Sequence, residues 1–498
     1  MTGDISSTTR VEERGEAAGE SRLHVQAQSV LNDVHSQLNA TTVARIERPV
    51  CMHDAQEIVR RARKEGTHIS VAGGRHAMGG QQFSPNSTHI DTTALNRVLG
   101  TNPEKGLLHI EAGADWPKII AASHEMDGCW GIRQKQTGVD AVSLAGSISA
   151  NAHGRGLLMQ PMGDDIEDLT LVDARGEVQV CSRTQNAELF SLVIGGYGMF
   201  GIITSATLRL APRQRVKRVV DIIDLDDAMH AVFRRAEEGC LFGDFQFVID
   251  AQDESFLRRG VFACYKPTAP AESESAATAS ADLAPDAWLK LLKLAHDDKQ
   301  HAFRLYSQHY LSTDGSHYWS DTMQLSTYIP SYVDFLESTR GEQAAPTVKE
   351  TLVIGEHYVP RDQLLAFMQQ ARAVFRTHAT EVIYGTIRAI LRDAVSFLPW
   401  AKDDFACVIF NVRTPHTEAG KQKTADTFRA LIDASNGLGG CFFLTYHRYA
   451  SAAQVEAGYP QFRQWLAEKK RYDPDELFVS SWYAHYRDAF AATASTAI

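Results

Sequence analysis

The chain has 498 residues and 44% apolar content, more than one hydrophobic core can organise, so two or three domains are expected. Its formal charge of −11, from 50 basic against 61 acidic residues, argues against nucleic acid as the main partner, because phosphate recognition needs a basic face. Seven scattered cysteines with no C-x-x-C pair fit neither a disulfide framework nor a zinc site, and no apolar run reaches the roughly 18 residues of a membrane span.

In chain order, residues 1–40 are expected to form a flexible tail, with order beginning inside "SVLNDVHSQLNATTVARI". The polar start "MTGDISSTTRVEERGEAAGESR" lacks the apolar core of a signal peptide, so a cytoplasmic location is expected. "AQEIVRRARKEG" predicts a helix with Ile58, Val59 and Ala62 on one face and a stop at Gly66. "THISVAGG" predicts a short strand entering a glycine turn. "STHIDTTAL", "GLLHIEAGA", "DLTLVDARGEVQVC" and "GIITSATLRLAP" predict further strands broken by turns. After Pro212 the texture changes: "KRVVDIIDLDDAMHAVFRRAEEG" pairs a strand with a helix. Residues 265–285, rich in Ala, Ser and Pro, read as a surface excursion. Strands and helices then resume.

Four segments could carry chemistry. "SVAGGRHAMGGQQF" places His76 between two glycine pairs straight after a strand. Such a loop lets backbone N–H groups approach a pyrophosphate, although a plain tight turn with an exposed histidine fits it too. "TGVDAVSLAGSISANAHGRG" is dominated by small residues, which suits either a groove for an extended cofactor or a closely packed helix pair. "GGYGMFG" contains G-x-G-x-x-G but runs into the alternating strand "IITSATLRLAP". A dinucleotide fingerprint must open a helix, so a Rossmann reading is rejected. "YGTIRAILRD" and "FFLTYHRYA" set Arg388, Tyr446, His447 and Arg448 at or beside apolar runs, as a substrate floor or as surface polar groups.

In this order the blocks resemble the FAD-binding domain of the vanillyl-alcohol oxidase family, the PCMH-type fold. The resemblance covers about residues 45–213, with a weaker echo in "RYDPDELF". It implies an α+β chain: a two-subdomain FAD-binding domain over 41–213 and an α+β cap domain with an antiparallel sheet over 214–445. A segment over 446–498 would return to the first domain. It implies FAD held by Ala72, Gly73, Gly74, Arg75, His76, Ala77, Met78 and Gln81 in a first loop. A second loop would supply Thr137, Gly138, Ser143, Leu144, Gly146, Ser147, Asn151 and His153, with Gly201 and Ile202 closing the site.

Many members link a histidine at the position of His76 to the flavin, which makes FAD linked through His76 the covalent candidate. The reaction implied is hydride removal from a hydroxyl-bearing carbon of a sugar, lactone or other secondary alcohol. Oxygen would reoxidise the flavin; the alternatives are transfer to a protein or quinone acceptor, or a flavin-binding protein without catalysis. "TIRAI" resembles the substrate-facing strand of sugar-alcohol oxidases, giving Arg388. "LTYHRYA" resembles the segment that holds the catalytic lysine of decaprenylphosphoryl-ribose oxidases, giving His447 as base, Arg448 for an anion or alkoxide, and Tyr446 beside them. The partner expected is a small-molecule substrate, with no metal.

Overall fold

The computed structural model describes residues 24–26, 28–269, 285–326 and 348–495. Most of the excursion expected at 265–285 therefore lies outside the described residues, and its first residues end the strand Arg259–Pro267.

A small sheet comes first. Its strands run in the order His24–Gln26, Arg45–Arg48, Thr88–Asp91, Ile69–Ala72, and the last three are parallel. The helix Met52–Glu65 buries Ala55, Ile58, Val59 and Ala62, the face expected from its apolar spacing. The carboxyl-terminal segment extends the sheet at Ile69, whose N–H donates to the Leu477 carbonyl at 2.7 Å and whose carbonyl accepts from Val479 at 3.0 Å. Asp473 organises that return: its carboxylate accepts from the Leu477 and Phe478 N–H groups at 2.9 and 2.8 Å and pairs with the buried Lys469.

Residues 28–40 are not a flexible tail. They form the hairpin Ser29–Leu31 with Thr41–Val43. Its loop is tied internally by Asp33, which accepts from the N–H groups of His35, Ser36 and Gln37 at 3.2, 2.6 and 3.0 Å. The Val34 N–H then docks the loop on the Arg75 carbonyl at 3.1 Å. An aspartate that closes its own turn supplies the order that low apolar content does not.

The second sheet is antiparallel and centred on Ile202–Pro212, the long strand that follows "GGYGMFG". Ile166–Val172 and Leu107–Glu111 flank it, Val178–Ser182 and Val98–Asn102 lie outside them, and Trp130–Ile132 pairs with its far end. The helix Leu144–Ala150 packs against it.

The third sheet has eight strands in the order His317–Trp319, Arg215–Asp224, Arg259–Pro267, Phe242–Phe247, Val382–Ile390, Phe405–Pro415, Glu350–Pro360, Cys441–Phe442. Alternation divides its residues between two faces. Phe245, Phe247, Ile387, Ala389, Val408, Phe410 and Val412 join one core with Phe367 and Phe375 from the helix Leu364–His378 and Phe428 from Glu418–Gly437. The intervening residues Asp244, Gln246, Thr386, Arg388, Ile409, Asn411 and Glu356 face the other way, into a cavity shared with the first domain. Among the described residues no helix is long and apolar enough to cross a membrane.

Candidate active site

The cavity has a volume of about 700 Å³ and runs between the glycine loops and the open face of the third sheet. Its walls at one end are the two loops marked in the sequence. Ala72, Gly73, Gly74, Arg75, His76, Ala77, Met78 and Gln81 come from the first, and Thr137, Gly138, Ser143, Gly146, Ser147 and His153 from the second, with Gly201 beside them.

The loops touch because glycine permits it. A Cβ on Gly73 would stand 2.0 Å from Ser143 Oγ, and one on Gly74 would stand 2.3 Å from the Ala141 carbonyl oxygen. Ser143 caps the helix Leu144–Ala150 by accepting from the Gly146 N–H at 3.2 Å, so the second loop is fixed where it meets the first. Gly138, with a φ of +87°, has open space where its side chain would project. Bare main chain from two loops, facing one elongated cavity, is what a diphosphate needs in order to lie against N–H groups.

His76 sits in this wall. Its Nδ1 meets His35 Nε2 of the amino-terminal hairpin at 2.9 Å. Burial, His35 and Arg75 lower its pKa to about 3, so the ring is neutral at ordinary pH. No local pattern in the sequence points to His35, which lies 41 positions from His76.

A polar cluster forms where the second loop meets the cap sheet. Arg388 Nη1 donates to the Gly154 carbonyl at 3.4 Å and Nη2 to Thr137 Oγ1, while its buried Nε has no hydrogen-bond partner. His153 contacts the Gly154 carbonyl through Nδ1 at 3.0 Å and Glu356 Oε1 through Nε2. A ring with an oxygen acceptor at both nitrogens has the hydrogen-bond pattern of an imidazolium. Glu356 Oε1 also accepts from Tyr358 OH at 2.6 Å and Cys407 Sγ at 3.2 Å; Oε2 is buried without a partner. Burial raises the pKa of Glu356, but His153 and the hydrogen bonds outweigh it and hold the carboxyl at about 2. Tyr446 completes the cluster, its phenol pushed well above its ordinary value by burial and by Glu356.

The structure does not bring every expected residue to the cavity. Leu144 and Ile202 are fully buried in apolar cores. Asn151 accepts from the Gly163 N–H at 2.8 Å and donates to Asp393 at 2.8 Å, bracing the second loop from behind. Arg448 reaches the back of the first loop, at 3.3 Å from the Gly79 carbonyl. His447 lies with the far-face core of the cap sheet: its ring stacks on Phe428 at 4.6 Å and on Tyr449 at 4.7 Å, and burial lowers its pKa to about 3.

Glu356, Asp244, Gln246, Arg155 and the tyrosines Tyr265, Tyr310 and Tyr384 line the cavity without having been expected there. The available signal was a lone acidic residue inside a strand-like run, as in "TLVIGEHYV" and "FGDFQF". Such a residue is usually buried with a partner or a task.

Residues 43–182 match the family model described as FAD binding domain. An uncharacterized oxidoreductase in the fasciation locus of Rhodococcoides fascians is 29% identical over 164 residues, 32% of this chain and 36% of that protein. L-gulonolactone oxidase of Bos taurus is 26% identical over 186 residues, 35% and 41% of the two chains. These two alignments thus cover well under half of the relatives' own lengths. L-gulono-1,4-lactone dehydrogenase of Mycobacterium tuberculosis is 22% identical over 442 residues, 88% of this chain and 94% of that one. The bare-backbone cradle fits the cofactor that this domain binds. The chain thus carries an FAD-binding domain over residues 43–182, with FAD as its cofactor, and is similar to lactone oxidases and dehydrogenases.

Proposed function

We propose that this protein is an FAD-dependent oxidoreductase that oxidises a hydroxyl-bearing carbon of a sugar, a sugar lactone or another secondary alcohol, with oxygen as the final acceptor. The observation that carries this reading is the meeting of Arg388, Glu356, His153 and Tyr446 at the junction between the glycine loops and the cap sheet. When bound, FAD supplies the hydride acceptor.

The protein's own groups do the rest. Arg388, a lining residue of the cavity anchored on Gly154 and Thr137 with its buried Nε unpartnered, stabilises negative charge growing on the substrate oxygen. Glu356 presents Oε2 as the acceptor for the hydroxyl proton. A carboxylate held at about 2 is a weak base, but the hydroxyl becomes strongly acidic as its carbon loses hydride, so the transfer needs no stronger one. Tyr446 stays a neutral phenol and orients the same oxygen. His153 keeps Glu356 ionised and in place. His447, placed first in this role on sequence grounds, lies on the other side of the sheet, so Glu356 replaces it in the proposal.

An anaerobic stopped-flow screen of lactones and alditols, followed by oxygen-electrode measurement, tests this. Bleaching of the flavin band by at least one such compound, with oxygen uptake, is expected. Bleaching without oxygen uptake would move the reading to a dehydrogenase, and no bleaching by any hydroxyl donor would refute it.

A further inference from the structure

Beyond the reacting centre, the cavity has a second polar cluster. Asp244 and Gln246 alternate with Phe245 and Phe247 on the strand Phe242–Phe247, so the backbone itself aims them at the cavity. Both are buried, at 3% and 6% exposure. Asp244 Oδ2 accepts from Gln246 Nε2 at 2.9 Å and from Thr386 Oγ1 at 3.3 Å. Its other oxygen, Oδ1, has no hydrogen-bond partner; the nearby cation, Arg155 Nη1, stands 4.0 Å away. Gln246 spends its amide nitrogen on Asp244, which leaves Oε1 as a second unpartnered acceptor. Arg155 donates from Nη2 to the Met323 carbonyl at 2.6 Å and lies over the Tyr265 ring, with Nε unpartnered.

Leaving a buried carboxylate oxygen, an amide oxygen and a guanidinium N–H unmade together is costly unless a ligand completes them. The set has two acceptors, one donor and an aromatic face. Hydroxyl groups satisfy both kinds of partner, and the C–H face of a sugar ring packs on tyrosine. A carboxylate or phosphate would meet Asp244 Oδ1 head-on. Asp244 also lies across the strand ladder from Arg388, as the pairing Phe245 with Ile387 requires, so one ligand can span both clusters.

We propose that Asp244, supported by Gln246 and Arg155, is a specificity-determining subsite that binds the non-reacting hydroxyls of a neutral polyhydroxylated substrate and rejects anionic ones. The proposal rests on the function given above and deepens it.

The test uses the FAD-loaded protein with L-gulono-1,4-lactone, its ring-opened carboxylate L-gulonate, and D-sorbitol as probes. Saturation is followed anaerobically through flavin bleaching or, for a compound that does not react, through perturbation of the flavin spectrum. The wild type is expected to saturate with a neutral probe at least about 10-fold more tightly than with gulonate. Asp244→Asn should weaken the neutral probe by about 10- to 100-fold, leaving FAD content and the limiting bleaching rate near wild type. Gln246→Leu, a milder change, should weaken it several-fold and serves if Asp244→Asn loses FAD. Unchanged saturation in both variants, equal binding of gulonate, or no response to either neutral probe would overturn the subsite. A neutral probe that perturbs the spectrum in an Asp244-dependent way without bleaching would uphold the subsite, while bleaching by no donor in the wider screen would refute the proposed reaction.

Discussion

Replacing Glu356 by glutamine tests the central pair of the site without changing its shape. The carboxylate is wholly buried, and its partner His153 has acceptors at both nitrogens, so the substitution leaves a buried cation without its counter-charge. Removing one member of a buried pair costs about 3–5 kcal/mol. The depressed pKa of the Glu356 carboxyl leads to a similar figure. A carboxyl held at about 2 against an ordinary 4.5 favours the folded state at neutral pH by about 3 kcal/mol, at about 1.36 kcal/mol per pH unit. The pKa is depressed in the folded state, so this stability is fully present above pH 4.5 and drains away as pH falls towards 2. Guanidinium unfolding from pH 7 downwards should show Glu356→Gln about 3 kcal/mol less stable than wild type at neutral pH. The gap should close on acidification, because the variant has no such carboxyl to lose. His153→Gln combined with Glu356→Gln removes both charges and should recover most of the loss. A neutral-pH difference below about 1 kcal/mol, or a double variant no better than Glu356→Gln alone, would refute the ion-pair account.

Arg388→Ala should slow anaerobic flavin bleaching by about 10²- to 10³-fold per bound FAD, read by stopped-flow absorbance, because the guanidinium proposed to stabilise the developing charge is lost; FAD content is measured alongside, since Arg388 also holds Thr137 of the second loop. If FAD is linked through His76, acid-precipitated wild type should stay yellow while His76→Ala releases its flavin to the supernatant; a colourless wild-type pellet would remove the link but not FAD binding. His447→Leu should change unfolding more than bleaching, because the ring packs with Phe428 and Tyr449 outside the cavity; a bleaching rate lowered 10²-fold or more, as a lost base would give, would return His447 to the mechanism. Gly74→Ala should reduce FAD retention, seen as a lower visible-to-ultraviolet absorbance ratio, because its Cβ would stand 2.3 Å from a backbone oxygen that cannot rotate away.

The first domain was legible because its two glycine loops approach each other through bare main chain. A loop that must leave its N–H groups bare, or pass 2.0 Å from where a Cβ would stand, requires glycine and small residues in consecutive positions, and those runs are visible without any structure. The strand after "GGYGMFG" was legible for a related reason: β-branched alternation contradicts the helix that a Rossmann fingerprint needs. His35 was not legible. Its order comes from Asp33, one side chain closing one turn, and its meeting with His76 spans 41 positions. No local pattern carries that distance.

The cap shows why the reacting cluster was harder to find than the cofactor loops. Its residues sit singly on strands far apart in the chain, and they meet only through register. Arg388 stands opposite Cys407, which stands opposite Tyr358; one step along, Thr386 faces Ile409 and Ile409 faces Glu356. A slip of one residue in any of these strands would send its polar group into the far-face core with Phe410 and Phe428 and bring an apolar side chain to the cavity. The pairing therefore determines the site as firmly as residue identity does. Arg388 was reachable because its strand resembles one in related oxidases. Tyr446 was reachable too, but the same stretch also offered His447, and only the fold separates them: one turns into the cavity and the next into the core. Glu356 and Asp244 had just one mark in the sequence, an acid alone in an apolar strand. Burial of that kind demands a partner, and for each of them one oxygen has its partners within the protein while the other is buried without a hydrogen-bond partner in a residue that lines the cavity.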